Sequence, residues 1–187
     1  MNLCLRDNKL FLLVFNLIVG SMLLYSYYYY IKYGGVSTKG LWGNAYPYRV
    51  GYGISMIVVA ISYIAVLVWT LVNATESQNG LVSDLIIAQV IIITVSLLWL
   101  PLTIMFVKSK NKPPDLMISI IIVLLIVAVA SIQQVFIVTK LKPADTTNKL
   151  LTGGHKAIIA GAVLFAIHTL VLDGVGWNIG FFNKKIV

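Results

Sequence analysis

The chain has 187 residues, of which 59% are hydrophobic and 11% charged, and its net charge is +8. Soluble domains carry about 25% charged residues, so a water-soluble fold is excluded; the basic residues lie between apolar runs, which points to anionic lipid headgroups rather than nucleic acid. The single cysteine, Cys4, excludes an internal disulfide and a dithiol redox site.

A membrane-crossing helix needs about 20 mostly apolar residues, and backbone groups in lipid must be bonded internally. Five segments qualify, at 10–31, 50–72, 84–107, 116–139 and 157–181. They predict one all-α multi-pass membrane domain over 1–187: a five-transmembrane-helix bundle, with a long aromatic loop between helices 1 and 2 and termini on opposite sides. The first segment follows Arg6 and Lys9, as in a signal peptide. Its apolar run reaches Ile31 without a small-residue cleavage pattern, so an uncleaved span is expected.

Helix 1 carries Asn16 and ends in Tyr25, Tyr27, Tyr28, Tyr29, Tyr30 and Tyr33; the loop adds Trp42, Tyr46 and Tyr48, and Arg49 and Tyr52 open helix 2. Here Val50-Gly51-Tyr52-Gly53 spells four letters of the potassium-channel filter, whose carbonyls replace the ion's water shell. The preceding stretch contains Gly40, Gly43 and Pro47, which are poor in a pore helix. Arg49 stands where the filter has threonine, and the apolar helix begins directly after Gly53. The filter reading therefore fails, and the glycines become points of close approach.

Helix 3 carries Gln89 and then Trp99-Leu100-Pro101-Leu102; proline removes one backbone bond and predicts a bend. Helix 4 carries Gln133 and Gln134. Helix 5 carries His168, and after Leu172 its apolar run is interrupted by Asp173, Gly174, Gly176 and Asn178, which predicts an early end or a kink near Trp177. Six Lys/Arg fall on the N-terminal side, and eight fall in the 32–49 and 108–115 loops and the C-terminal tail. The positive-inside rule makes that second side cytoplasmic.

The intramembrane polar residues, costly and often functional, sort into two layers. Asn16, Gln89, Gln133 and Gln134 lie towards the N-terminal side and are expected to bond one another between helices, at about 0.6–2 kcal/mol per bond. Towards the other side lie the Tyr/Trp belt and Asp173, for which Arg49 is the expected partner, with Lys184 or Lys185 as alternatives. His168 lies five residues before Asp173, about 140° around an α-helix. The two are therefore predicted not to share a face, and a relay between them is disfavoured. His168 is expected to be neutral and bonded to a neighbouring helix. His155 is at the far mouth, so no metal site is expected.

Three passages resemble the translocator protein family, also called tryptophan-rich sensory proteins or peripheral benzodiazepine receptors. LWGNAYPYRVGYGISMIVVAISYIAVLVW resembles the family's W-x-G-P…W…Y-x-x-M-G…A…Y-x-x-W run, through Trp42, Gly43, Tyr52, Met56, Ala60, Tyr63 and Trp69. AQVIIITVSLLWLPLTIMF resembles A-Q-L…N…W-S-P-L-F-F, through Ala88, Gln89, Trp99, Pro101 and Leu102, with three residues inserted. FAIHTLVLDGVGWN resembles a fifth-helix segment ending in W-R-x-N. The W-x-P-P loop and the fifth-helix tyrosine of the family's cholesterol motif are missing. The resemblance implies a five-helix membrane protein that binds sterols or porphyrins.

The function expected is a non-catalytic binder or carrier of a lipophilic small molecule, without cofactor or metal. Its pocket would lie between helices 1, 2, 3 and 5, under the 33–48 loop. Trp42, Tyr52, Trp99, Pro101 and Trp177 would form the walls, and Arg49 and Asp173 would orient the ligand's polar end. The alternatives are a structural subunit of a larger membrane complex and a small oligomeric transporter or channel using Gln89 and His168. The chain is compatible with a homodimer or with assembly into a larger membrane complex; a homodimer in mild detergent counts against the structural-subunit reading. No nucleophile–base pair is recognisable along the spans.

Overall fold

Apolar residues without interruption by charge leave the backbone no better partner than itself, and the chain resolves them into long helices. The computed structural model describes residues 4–143 and 145–179, at 44 and 45 by backbone alone. Five helices are long and apolar enough to cross a membrane: α1 (Leu5–Tyr33), α2 (Arg49–Asn73), α3 (Asn79–Lys108), α4 (Pro114–Lys140) and α5 (Lys149–Trp177). No strand occurs among the described residues. The 27 residues of α4 make a rod of about 40 Å at 1.5 Å per residue, more than a hydrocarbon core needs.

Each helix begins or ends beyond the apolar run that announces it, and at some of these ends a side chain supplies the cap. Asn148 Oδ1 accepts from the N–H groups of Leu150 and Leu151, so α5 starts at Lys149 instead of 157 and carries Gly153 and Gly154 in its first turns. Pro114 opens α4, where a missing N–H costs nothing. Thr75 and Gln78 form a reciprocal capping box before α3. Beyond α4, Asp145 takes a bond from the Thr147 hydroxyl and bonds from the Thr147 and Asn148 N–H groups. These bonds hold its carboxyl below the usual carboxylate range.

The 32–49 connection contains a short helix, Thr38–Trp42, started by Ser37 and left through Gly43 at φ 53°, and then a 3-10 turn, Gly43–Tyr48. Only Gly accepts such a φ without strain.

The core is stacked in three levels along the bundle. At the first end, which holds the start of α1, Leu5, Leu12, Val66, Trp69, Leu85, Val138 and Ile158 interlock. In the middle, Val59, Ile92, Val127, Ala130 and Phe165 form a purely apolar plug. At the second end rings join the aliphatics: Trp42, Tyr52, Trp99, Phe106 and Trp177 pack with Ile120 and Leu124, and Tyr27 and Tyr30 lie beside Leu100 and Ile104. α1 sits at the edge; 6% of its most apolar stretch is buried, against 44% for α5.

Two stretches depart from α-helical winding. In α1, Asn16–Gly20 is π-helical. In α5, the π-helical segment is longer, His168–Trp177. This answers the expected kink: α5 runs on through Asp173 and Gly174 with widened turns. α3 likewise continues through Pro101 to Lys108.

Candidate functional site

The second end of the bundle gathers the polar and aromatic residues of α2, α3 and α5. Its geometry follows from the π-helical winding of α5. Bonds from residue i to i+5 put an extra residue into each turn, so five positions come close to a full circle. His168 and Asp173 therefore meet, with Nε2 to Oδ2 at 3.4 Å. The expectation that they point apart rested on α-helical spacing and is corrected by the winding. The other ring nitrogen, Nδ1, lies 2.7 Å from Ser55 Oγ on α2. In the tautomer with its proton on Nε2, towards Asp173, Nδ1 accepts from the Ser55 hydroxyl. The result is a chain Ser55–His168–Asp173 joining two helices.

Tyr52, one turn before Ser55, closes over this chain. Its ring is 6.4 Å from the His168 ring, and its hydroxyl donates to Leu172 O at 2.7 Å. Gly176 makes room for it: a Cβ there would lie 2.9 Å from the Tyr52 hydroxyl. Trp42 packs edge-on against Tyr52 at 5.1 Å, Trp99 against Trp177 at 5.5 Å, and Tyr27 against Trp99 at 5.9 Å. Thr103, two residues beyond Pro101, bonds back to Trp99 O.

Burial grades the site. His168 is 4% exposed and Trp177 2%, whereas the Asp173 side chain retains 31%. Asp173 is thus the group by which the site meets its surroundings. Two buried polar atoms at this end have no hydrogen-bond partner among the described residues, Trp99 Nε1 and Asn178 Oδ1. Asn178 spends its Nδ2 on Gly174 O at 2.8 Å. A buried polar group left unpaired costs about 1–3 kcal/mol.

The sequence places Arg49 opposite Asp173, and the structure does not join them. The Arg49 guanidinium stacks 4.0 Å from the Tyr46 ring centroid and donates to Tyr46 O at 3.2 Å. Charge matching misled because a cation at a helix start also has a ring and a free carbonyl in the turn before it. The alternatives Lys184 and Lys185 lie outside the described residues, as do positions 180–181 of the fifth predicted span. Ser55 was not singled out in the sequence. A lone serine in an apolar helix carries no signal, and only the fold shows what it touches.

The amide layer at the first end is built in part as expected. Asn16 Nδ2 donates to Gln89 Oε1 at 3.0 Å, and Tyr63 donates its hydroxyl to Asn16 Oδ1 at 2.7 Å. This ties α1, α2 and α3 together. Gln134 does not join it. It is fully buried, yet neither amide atom has a partner, and Gln89 Nε2 is unpaired as well. Gln133 faces outward. His155 is used structurally, with Nε2 3.0 Å from Val138 O and its ring against Trp69.

Two hollows open on the flanks of the bundle. One, of about 240 Å³, lies between α4 and α5 around Phe136, Ile167 and Val171; the other, of about 350 Å³, lies between α3 and α4 around Ile126, Val129 and Gln133. Neither is lined by the ring cluster, whose members pack edge-on against one another. No group of three His, Cys, Asp or Glu suited to a metal occurs among the described residues. Compared with protein-family models, with curated proteins and with solved structures, the chain matches none.

Proposed function

We propose that the five helices are inserted in a membrane, with the 32–49 and 108–115 loops towards the cytoplasm, and that the second end binds a lipophilic small molecule by its polar tip. One observation carries the reading. Inside a collar of apolar rings, a single carboxylate, Asp173, stays 31% open while the histidine behind it is sealed, and a Trp99 N–H nearby lacks an acceptor. Ligand sites have this composition, mostly apolar with a few placed polar groups. The ligand would enter by lifting Trp42 and the short helical segment that carries it from Tyr52. A sterol or a porphyrin, the ligands implied by the resemblance to translocator proteins, has the required combination of a flat apolar body and polar substituents. Arg49, stacked on Tyr46, would act at the rim, with the membrane's anionic lipids.

Tryptophan fluorescence titrated with protoporphyrin or cholesterol in detergent micelles tests the proposal. Saturable quenching is expected, with an affinity about tenfold weaker in Asp173→Asn, as for loss of a charged hydrogen bond. No saturable change in the wild type, or one unaltered in Trp99→Ala, overturns it.

A second reading rests on a different observation. The rings touch one another rather than surround a space, and Gln133 turns outward from the bundle. Both suit a structural subunit of a larger membrane complex, which would co-purify with fixed partners.

A further inference from the structure

We propose that Ser55 is a nucleophile, and that the Ser55–His168–Asp173 chain transfers the acyl group of a carboxylic ester presented from the bilayer. The proposal goes beyond binding at the ring cluster; it shares with that reading the insertion in a membrane and the residue Asp173.

The geometry has three parts. Ser55 Oγ lies at hydrogen-bond distance from an imidazole nitrogen, 2.7 Å, within reach for general-base activation. The opposite nitrogen lies 3.4 Å from an Asp173 carboxylate oxygen, close enough for an ionised carboxylate to stabilise the imidazolium that forms. The base is 4% exposed, while Ser55 is partly exposed on α2 beside the fully outward Ile54, Ile57 and Val58. Ser55 therefore lies at the α2 surface from which a reactant held in the bilayer would come. In the serine proteases the hydroxyl meets Nε2 and the carboxylate Nδ1; here the two nitrogens exchange roles. Either nitrogen is the base once the other holds the proton.

Depth selects the substrate. Ser55 is six residues into α2 from Arg49, which is about 9 Å along the axis. With Arg49 among the headgroups, that depth is the border of the hydrocarbon core, where the ester linkages of acylated amphiphiles lie. The reaction balances with water alone. Ser55 Oγ bonds to the ester carbonyl carbon while its proton passes to His168 Nδ1. The bond to the alcohol oxygen then breaks, and the alcohol leaves with that proton, giving an acyl-Ser55 ester. Water adds to the acyl carbon, giving its proton to His168, and Ser55 departs, recovering it. Ester and water become acid and alcohol. His168 is catalytic in this scheme, and Asp173 is a positioning residue.

The test uses the full chain in liposomes, with a fluorophosphonate probe that phosphorylates activated serines and mass spectrometry to locate the adduct. An adduct on Ser55 of the wild type is expected. Its rate should fall about a hundredfold or more in His168→Gln, and labelling at this position should be lost in Ser55→Ala. Ser83→Ala, altered at an exposed serine of the other end, should label normally. Asp173→Asn should slow labelling and change its pH profile, which a purely structural role would not do. Absence of an adduct on the wild type overturns the proposal, as does labelling unchanged in His168→Gln. The site of the wild-type adduct decides without reliance on any variant's folding. Quenching by protoporphyrin without an Ser55 adduct leaves the binding reading and removes this one; an adduct without quenching does the reverse.

Discussion

The two ends of the bundle solve the same problem, polar side chains inside an apolar helix packing, in different ways. At the first end the groups are neutral amides and a phenol. Asn16 holds Gln89 and receives Tyr63, so three helices are fastened by bonds that only need to exist. At the second end the groups are a hydroxyl, an imidazole and a carboxylate, set end to end across two helices beside a cluster that mixes rings with aliphatics. Both layers sit on π-helical winding. Asn16 begins one π segment and His168 the other. Widened turns are rare and frequently mark function. Here one such turn carries an amide clasp and the other brings His168 to Asp173, so the winding supplies a geometry and the residue types decide what meets in it.

The comparison breaks most readily at the first end. Asn16→Leu removes both halves of the clasp and leaves Gln89 Oε1 and the Tyr63 hydroxyl unpaired; a loss of about 2–3 kcal/mol is expected in thermal or denaturant unfolding in micelles, with the second-end chemistry intact. A loss below about 0.5 kcal/mol would show that the clasp is idle. A smaller effect is expected at the second end. Tyr52→Phe gives up the bond to Leu172 O, at about 1 kcal/mol. Gly176→Ala should cost a similar amount by pushing the same hydroxyl away, since its Cβ would lie 2.9 Å from it. The two changes share one contact, so the double variant should lose little more than either alone; additive losses would separate Gly176 from Tyr52. The smallest effect sharpens the comparison by its sign. Gln134 is fully buried with both amide atoms unpaired. Gln134→Leu should therefore be neutral or stabilising, opposite to Asn16→Leu, although both replace an amide with leucine.

Much of the fold was legible because apolar length needs no partner to be recognised. The five spans stand out in the sequence, and the structure extends them by the capping residues, such as Asn148, that hydropathy ignores. The polar layers were half legible. Depth along each helix put Asn16 near Gln89 and put Asp173 among Trp99, Tyr52 and Trp177. Facing direction was not legible, because it depends on residues per turn, and that number changes inside α5. The glycines 174 and 176 after Asp173 signalled an irregularity without saying which. Ser55 had no signal, since its role exists only across 113 residues of chain.

A widened turn is what a helix contains when it holds one residue more than its α-helical register requires. Deleting a single residue between Thr169 and Leu172 would leave His168 and Asp173 four positions apart, a spacing that shares a face once the turn tightens to α-helical winding, so the pair should survive the loss. Inserting one residue there would set them six positions apart, about 240° around an α-helix, and swing Asp173 away from His168. In genetic terms the damaging lesion of the second end is a one-codon gain in an apolar stretch, a change that hydropathy alone would pass as silent.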